Sequence, residues 1–199
     1  MTKDNRRSVK PPAVRHEEIV RAARALFAEQ GVRATTFQQV ADRVGVTRGL
    51  VYHYVGDMDT LVEQVVDASI ADFAADVRRW DAARRPGDID GAVLGAIALV
   101  RRHVRPEGTP AAPRFDDVAT SQQYLDRAIE AVVDTLEETT IPAYAARHAI
   151  EIAHVRETFV VLVHGLVALV RSQPGTPDDV LATIVRQTLR LATPDPAAG

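Results

Sequence analysis

Along most of the chain the apolar residues recur three and four positions apart, the spacing that gathers them on one face of an α-helix. Few runs alternate at period two, and Gly and Pro fall at wide intervals, so the pattern predicts an all-α protein. In residues 14–30 the first such face carries Ile19, Ala22, Ala23, Leu26 and Phe27, and Gly31 then supplies a residue that turns left-handed without steric cost. Thr36 followed three residues later by Gln39 fits a capping box, in which each side chain satisfies a free backbone amide of the other's turn. The short helix that starts there, residues 37–43, ends at Val44-Gly45-Val46, and Thr47 caps a second short helix through Tyr54. Asp57 and Asp59 place negative charge where a following helix begins, which the helix dipole favours, and that helix is expected to run to about Trp80.

Breaks at Arg85-Pro86-Gly87, around Pro106 to Pro113 and at Pro142 predict helices near 88–104 and 115–138. Residues 143–172 read as one long helix, about 45 Å at ~1.5 Å per residue. Gln173-Pro174-Gly175 stops it. Thr176, Pro177, Asp178 and Asp179 then offer a capping hydroxyl, a Pro in the first turn and two acids for a last helix ending near Ala192. About nine helices are expected, with no internal repeat. The organisation predicted is a disordered basic tail over 1–12, a three-helix unit over 13–57, a helical-bundle body over 58–193 and a disordered tail over 194–199.

Composition narrows the field. The 199 residues are 46% hydrophobic and 26% charged, enough to bury a core in one domain with a small companion. With no Cys, disulfides, thiolate zinc ligands and thiol nucleophiles are excluded. The longest uncharged stretch of the apolar C-terminal region, 158–170, has 13 residues, whereas a membrane span needs roughly 20. The polar start lacks the apolar segment of a secretory signal, so a soluble cytoplasmic protein with no membrane partner is expected. The net charge of −3 divides into +3 over residues 1–60 and −6 over the rest. That asymmetry fits either a polyanionic partner for the first third or a tail that merely aids solubility. All basic residues except Lys3 and Lys10 are Arg, which bonds phosphate or guanine in bidentate fashion.

The informative stretch is 37–54, FQQVADRVGVTRGLVYHY. Two short helices joined by a turn at Gly45 are locked by Val40, Ala41, Val44, Val46, Leu50 and Val51, with Ala41 small where the helices cross and Val46 plugging the turn. The spacing is that of a helix-turn-helix, although other αα-corners share it. The second helix turns polar or amphipathic groups outward: Thr47, Arg48, Tyr52, His53 and Tyr54. Hydroxyls and the guanidinium can donate to phosphate, and Arg48 can pair with guanine in the major groove. Gly49 leaves room for close approach. For Tyr52 and Tyr54, packing against the first helix is the plain alternative.

Ala22-Ala23, Leu26-Phe27, Glu29-x-Gly31, Thr35-Thr36, Val40-Ala41, Gly45-Val46-Thr47-x-Gly49 and Tyr52-x-Tyr54 followed by Leu61 stand in an order that resembles the N-terminal domain of TetR-family (tetracycline-repressor-type) transcriptional regulators. The resemblance covers about 50 of the 199 residues; the rest matches only in being helical. It implies a three-helix helix-turn-helix DNA-binding domain followed by a helical ligand-binding and dimerisation domain. It further implies that 47–54 is the recognition helix, with Gln38, Arg48 and Gly49 facing bases and Thr36, Thr47, Tyr52, His53 and Tyr54 mostly holding phosphates. Two positions depart from the family's pattern: Val55, commonly aromatic, and Met58, commonly a Lys that reaches a phosphate. The tail cations Lys3, Arg6, Arg7 and Lys10 could compensate for the latter.

The run 159–170, FVVLVHGLVALV, is apolar on every helical face. Such a helix is either wholly central in a monomer or covered on one side by a second copy. The resemblance implies a homodimer through the last two long helices, with Val161, His164, Gly165, Ala168, Ile184 and Leu189 as interface residues. It also implies a small-molecule pocket in the body whose occupancy moves the fourth helix. Candidate lining residues are Phe73, Trp80, His103, Phe115, Tyr124, Tyr144, His148, His154 and Phe159, each of which could equally be packed in the core or solvated. With 5% aromatic content and aliphatic residues prevailing, an apolar effector is expected. No His pair stands at i, i+4, so neither a metal nor another cofactor is expected. No Ser-His-Asp context, Gly-rich phosphate loop or HExxH run is present, which argues against an enzyme. The expected function is a one-component regulator, a repressor binding a palindromic double-stranded DNA operator as a homodimer and released by a small apolar effector. The alternatives are a small helical enzyme using His and acid groups of the body, and a constitutive DNA-binding protein without a ligand.

Overall fold

The structure, a computed structural model, describes residues 11–85, 87–103 and 115–191. The expected basic tail up to Lys10, the break around Pro106 to Pro113 and the tail 194–199 lie outside the described residues. All regular structure among the described residues is helical, and none of these helices is long and apolar enough to cross a membrane. The chain divides into two compact units: residues up to Ser69 with a segment ending at Ser121, and the remainder. The first unit therefore takes more than the 13–57 expected for it.

The first unit holds α1 (Pro12–Gln30), α2 (Phe37–Val44), α3 (Arg48–Val55) and the start of α4 (Met58–Ala83). Pro12 occupies the first helical position, where its missing N–H costs nothing. The capping box at α2 forms: the Gln39 amide N–H donates to Thr36 Oγ1 at 3.3 Å, and Thr36 N–H to Gln39 Oε1 at 2.8 Å. Gly45 closes α2 at φ 74°, and the Val46 N–H reaches the Ala41 carbonyl, so the turn is as tight as its sequence requires. Ile19, Ala23, Phe27, Val40, Ala41, Val51, Leu61 and Val65 have no accessible surface. Val44, Val46, Tyr54 and Met58 pack around them half-buried. A distant segment also joins this unit, since the Asp116 carboxylate accepts the Arg33 N–H at 2.5 Å. Gly31, at φ 83°, has no Cβ to fill that space.

The second unit contains the rest of α4, then α5 (Ile89–His103), most of α6 (Val118–Thr135), a π turn (Leu136–Thr140), α7 (Ile141–Ala145), α8 (Val155–Ser172) and α9 (Asp178–Leu189). Val93 and Ile97 of α5, Leu162, Leu166 and Val170 of α8, and Leu181 and Val185 of α9 form its core. Arg101 clamps the α8–α9 turn, with Nε donating to Asp178 at 2.6 Å and Nη1 to the Pro174 carbonyl at 3.2 Å.

The structure departs from five of the expectations. The long helix over 143–172 is broken: α7 stops at Ala145, an irregular stretch follows, and α8 starts only at Val155, with His154 left-handed at φ 51° as its N-cap. Pro142 does not end a helix. It sits in the first turn of α7, directly after the π turn, whose wider ladder (Ile141 N–H to the Leu136 carbonyl) accommodates a residue without an N–H. Thr176 does not cap α9, because its hydroxyl donates back to the Gln173 carbonyl at 2.9 Å, leaving Pro177 as an N-cap without a side-chain bond. Helix α4 runs three residues past Trp80, and α9 ends at Leu189, where Arg190 turns left-handed.

Candidate functional site

Helix α3 is held by its buried face, Val51 and Val55, and by Thr47, whose hydroxyl accepts the Leu50 N–H at 3.3 Å. What remains outward is the polar set expected of a reader: Thr47, Arg48, Gly49, Tyr52 and His53 are exposed, as are Thr36 and Gln38 at the start of α2. The Phe37 and Tyr52 rings meet edge to face at 6.1 Å, which fixes the start of α2 beside α3. Tyr52 is 61% exposed, whereas Tyr54 packs half-buried on the core against His53 at 5.6 Å. Gly49 has no neighbour within 4 Å of where a Cβ would stand, so its side of the helix is open.

Two arginines of this unit differ in use. Arg43 makes a two-pronged pair with Glu29, both bonds at 2.7 Å, and that guanidinium holds the Glu29 carboxyl below the usual carboxylate range. Arg48 has no hydrogen bond or ion pair with another described residue, and its donors are available. Gln38 donates to Asp42 at 2.8 Å, a pairing that the i, i+4 spacing announces. Asp57 accepts the Thr60 N–H at 2.8 Å, and this bond lowers its pKa while capping α4.

The second unit contains a cavity of about 510 Å³. Seven of the nine expected lining residues face it: Phe73, Trp80, His103, Tyr124, Tyr144, His148 and Phe159. Phe115 lies in the first unit and His154 is exposed, so neither contributes. Most of the wall is aliphatic, from α5, α6 and α8, and no single-residue signal distinguishes those positions from ordinary core. His103 bonds the Leu99 carbonyl at 3.0 Å through Nδ1 and Asp76 at 3.2 Å through Nε2, with Phe73 against its ring at 4.6 Å. Asp81 accepts from Arg84 and, at 2.7 Å, from Thr140 of the π turn, and Arg84 lies 5.2 Å over the Trp80 ring. Burial raises the Asp81 pKa, but hydrogen bonds from Thr139, Thr140 and Arg84 outweigh it and hold the carboxyl below its ordinary value.

On α8, Leu162, Leu166, Val167 and Val170 point inward, while Val161 (71% exposed), Gly165 and Ala168 form an outward stripe of small and apolar residues. His164 is half-buried, bonded to the Val160 carbonyl at 2.9 Å and to Asp126 at 3.4 Å. Ile184 and Leu189 pack against this unit's own core, and the more exposed apolar residue of α9 is Val180. Among the described residues no group of acids and histidines could hold a metal ion.

Residues 19–65 match the family described as bacterial regulatory proteins, tetR family. The match covers the helix-turn-helix region and its flanks, 47 of the 199 residues. Within the matched region the chain is similar to the HTH-type transcriptional repressor KstR2 of Mycolicibacterium smegmatis, 36% identical over 55 residues, which are 28% of this chain and 27% of that repressor. It is similar also to the HTH-type transcriptional regulator HbdR of Aromatoleum sp. strain CIB, 44% identical over 48 residues, 24% of this chain and 21% of that regulator. The chain thus matches about a quarter of the length of these curated relatives. Its TetR-type fold extends further: a TetR-family transcriptional regulator from Pectobacterium atrosepticum superposes with a TM-score of 0.62 at 16% identity, covering 90% of this chain and 93% of the other.

Proposed function

We propose that this protein is a TetR-family one-component transcriptional repressor. It binds a palindromic operator in the cytoplasm as a homodimer and leaves it when a small apolar effector enters the body cavity. The observation that carries the reading is the outward face of α3, where Arg48, without a partner among the described residues, stands beside Gly49 and the exposed Tyr52 and His53, in a domain matching the family over residues 19–65. Arg48, Gly49 and Gln38 read bases; Thr36, Thr47, Tyr52 and His53 hold phosphates. Tyr54, half-buried, contributes its hydroxyl at most.

A single helix of this length offers few base contacts, and two copies reading half-sites about one DNA turn (~34 Å) apart combine them. The stripe Val161, Gly165 and Ala168 leaves apolar surface in water, and burying it against a second copy removes that cost. Helix α4 supplies Leu61 and Val65 to the reader core and Trp80 and Asp81 to the cavity wall, so effector occupancy acts on operator affinity through it. Coupling of about 1–3 kcal/mol is enough to change operator occupancy several-fold or more. The cavity speaks against a constitutive binder, and His103 has both ring nitrogens engaged, which speaks against its use as a general base.

Selection of bound duplexes from a random pool, run in parallel with Arg48→Ala, tests the proposal. The native protein enriches a palindrome containing guanine in each half-site, and the variant loses that guanine. Enrichment of no sequence, or the same consensus from both proteins, overturns it.

A further inference from the structure

We propose that the effector is an uncharged apolar molecule, and that carboxylates and organic cations are excluded by the charge balance of the cavity wall. This rests on the reading of the cavity as the effector site and names the ligand's chemical class. The ionised groups on the wall are three acids, Asp81, Asp88 and Glu151, and three arginines, Arg84, Arg85 and Arg147, so the cavity has no net sign to attract an ion. The half-buried ones are mutually satisfied: Asp81 is taken by Arg84 and Thr140, and Arg84 bonds Asp81 and Thr140 while covering the Trp80 face. The His103 ring lies between Asp76 and the Leu99 carbonyl, and the Thr139 hydroxyl lies between Asp81 and the Thr135 carbonyl, 2.6 Å from the latter. Asp88, Glu151, Arg85 and Arg147 are exposed, two of each sign.

An ionised head brought into this cavity has to lose water and find a counter-charge that is not already paired. Among the half-buried wall residues it finds none without breaking the Asp81–Arg84–Thr140 cluster, and the exposed Arg85, Arg147, Asp88 and Glu151 offer only solvent-screened charge. An alkyl or alicyclic body loses nothing of the kind, and meets Ala96, Val100, Ile129, Val132, Phe159 and Val163. The volume, about 510 Å³, lies within the range of sites that enclose drug-sized molecules.

The chain's one tryptophan, Trp80, lines the cavity, so its fluorescence reports occupancy without a label. The test titrates the full-length protein with three probes sharing one chain and differing in head charge: decan-1-ol, decanoate and decyltrimethylammonium, all below micellar concentrations at neutral pH. Decanol is expected to shift Trp80 emission and to bind at least tenfold more tightly than either ion. Ala96→Leu, which fills the cavity, weakens decanol at least tenfold; Ala92→Leu serves the same purpose should that variant fail to fold by circular dichroism. Either ion binding as tightly as decanol overturns the proposal, as does silence of all three probes, or decanol binding that both filled variants leave unchanged. Duplex binding is measured on the same preparation without probe. Its absence would remove the regulator reading and leave the head-group order standing, so the two failures are told apart.

Discussion

The two compact units bury similar kinds of residue to opposite ends. In the first, Ile19, Ala23, Phe27, Val40, Val51, Leu61 and Val65 are sealed from solvent and close around one another. In the second, Leu162, Leu166 and Val185 each keep a little exposure, and the aliphatic wall of α5, α6 and α8 surrounds about 510 Å³ of empty volume. On the proposed reading the first unit presents Arg48 and its neighbours to DNA in a fixed geometry, which a filled core gives. On the same reading the second unit receives a ligand, which makes dispersion contacts that the cavity leaves unmade.

The sharpest way to break that contrast is a pair of truncations. Phe27→Ala opens a cavity in the filled core and should cost about 3–5 kcal/mol in chemical denaturation. Phe159→Ala enlarges a space that already exists and should cost under about 2 kcal/mol. Equal losses would mean that the units are packed alike. A second pair compares two threonines at similar sequence positions before helices. Thr36→Ala removes a formed capping box and should cost ~1 kcal/mol. Thr176→Ala removes a hydroxyl that caps nothing, and should stay within about 0.5 kcal/mol.

Met58→Lys tests the reader more gently. Met58 is half-buried on the core, and a lysine can lay its stem along the same surface with the amine in water. Operator binding should tighten several-fold at fixed salt, with the slope of log K against log salt steeper by about 0.9 for one added phosphate contact. Unchanged or weaker binding would remove that contact from the account. The smallest effect concerns acid stability of the body. The folded pKa of Asp81 lies below its ordinary value of 3.8, so its contribution is complete above that value and is lost as pH falls through the lower folded pKa. Asp81→Asn should therefore narrow the stability gap to the native protein below pH ~3.8, and a gap that stays constant there would contradict the assigned hydrogen bonds.

The reader was legible because each of its signals is local. The Thr36/Gln39 box, Gly45 in the left-handed region and Thr47 as a cap act within one turn, and tertiary packing only confirmed them. The body was less so. No Gly or Pro stands between residues 145 and 155, so nothing in the local pattern marks the break before α8; tertiary bonds such as Arg190 to the Glu151 carbonyl hold it instead. Pro142 misled because the π turn that admits it has no sequence signature of its own. Aromatic and His residues pointed to the cavity, but its aliphatic walls obey the same periodicity as filled core, and the docking of Asp116 on the Gly31–Arg33 turn joins residues over eighty positions apart.

The most direct test of the central claim is a binding titration of the selected duplex at several salt concentrations. The account predicts two protomers per palindrome, with affinity falling steeply and linearly in log salt, and loss of preference over random duplex in Arg48→Ala. Retention that ignores salt and sequence alike, or a lone protomer on the duplex, would contradict it.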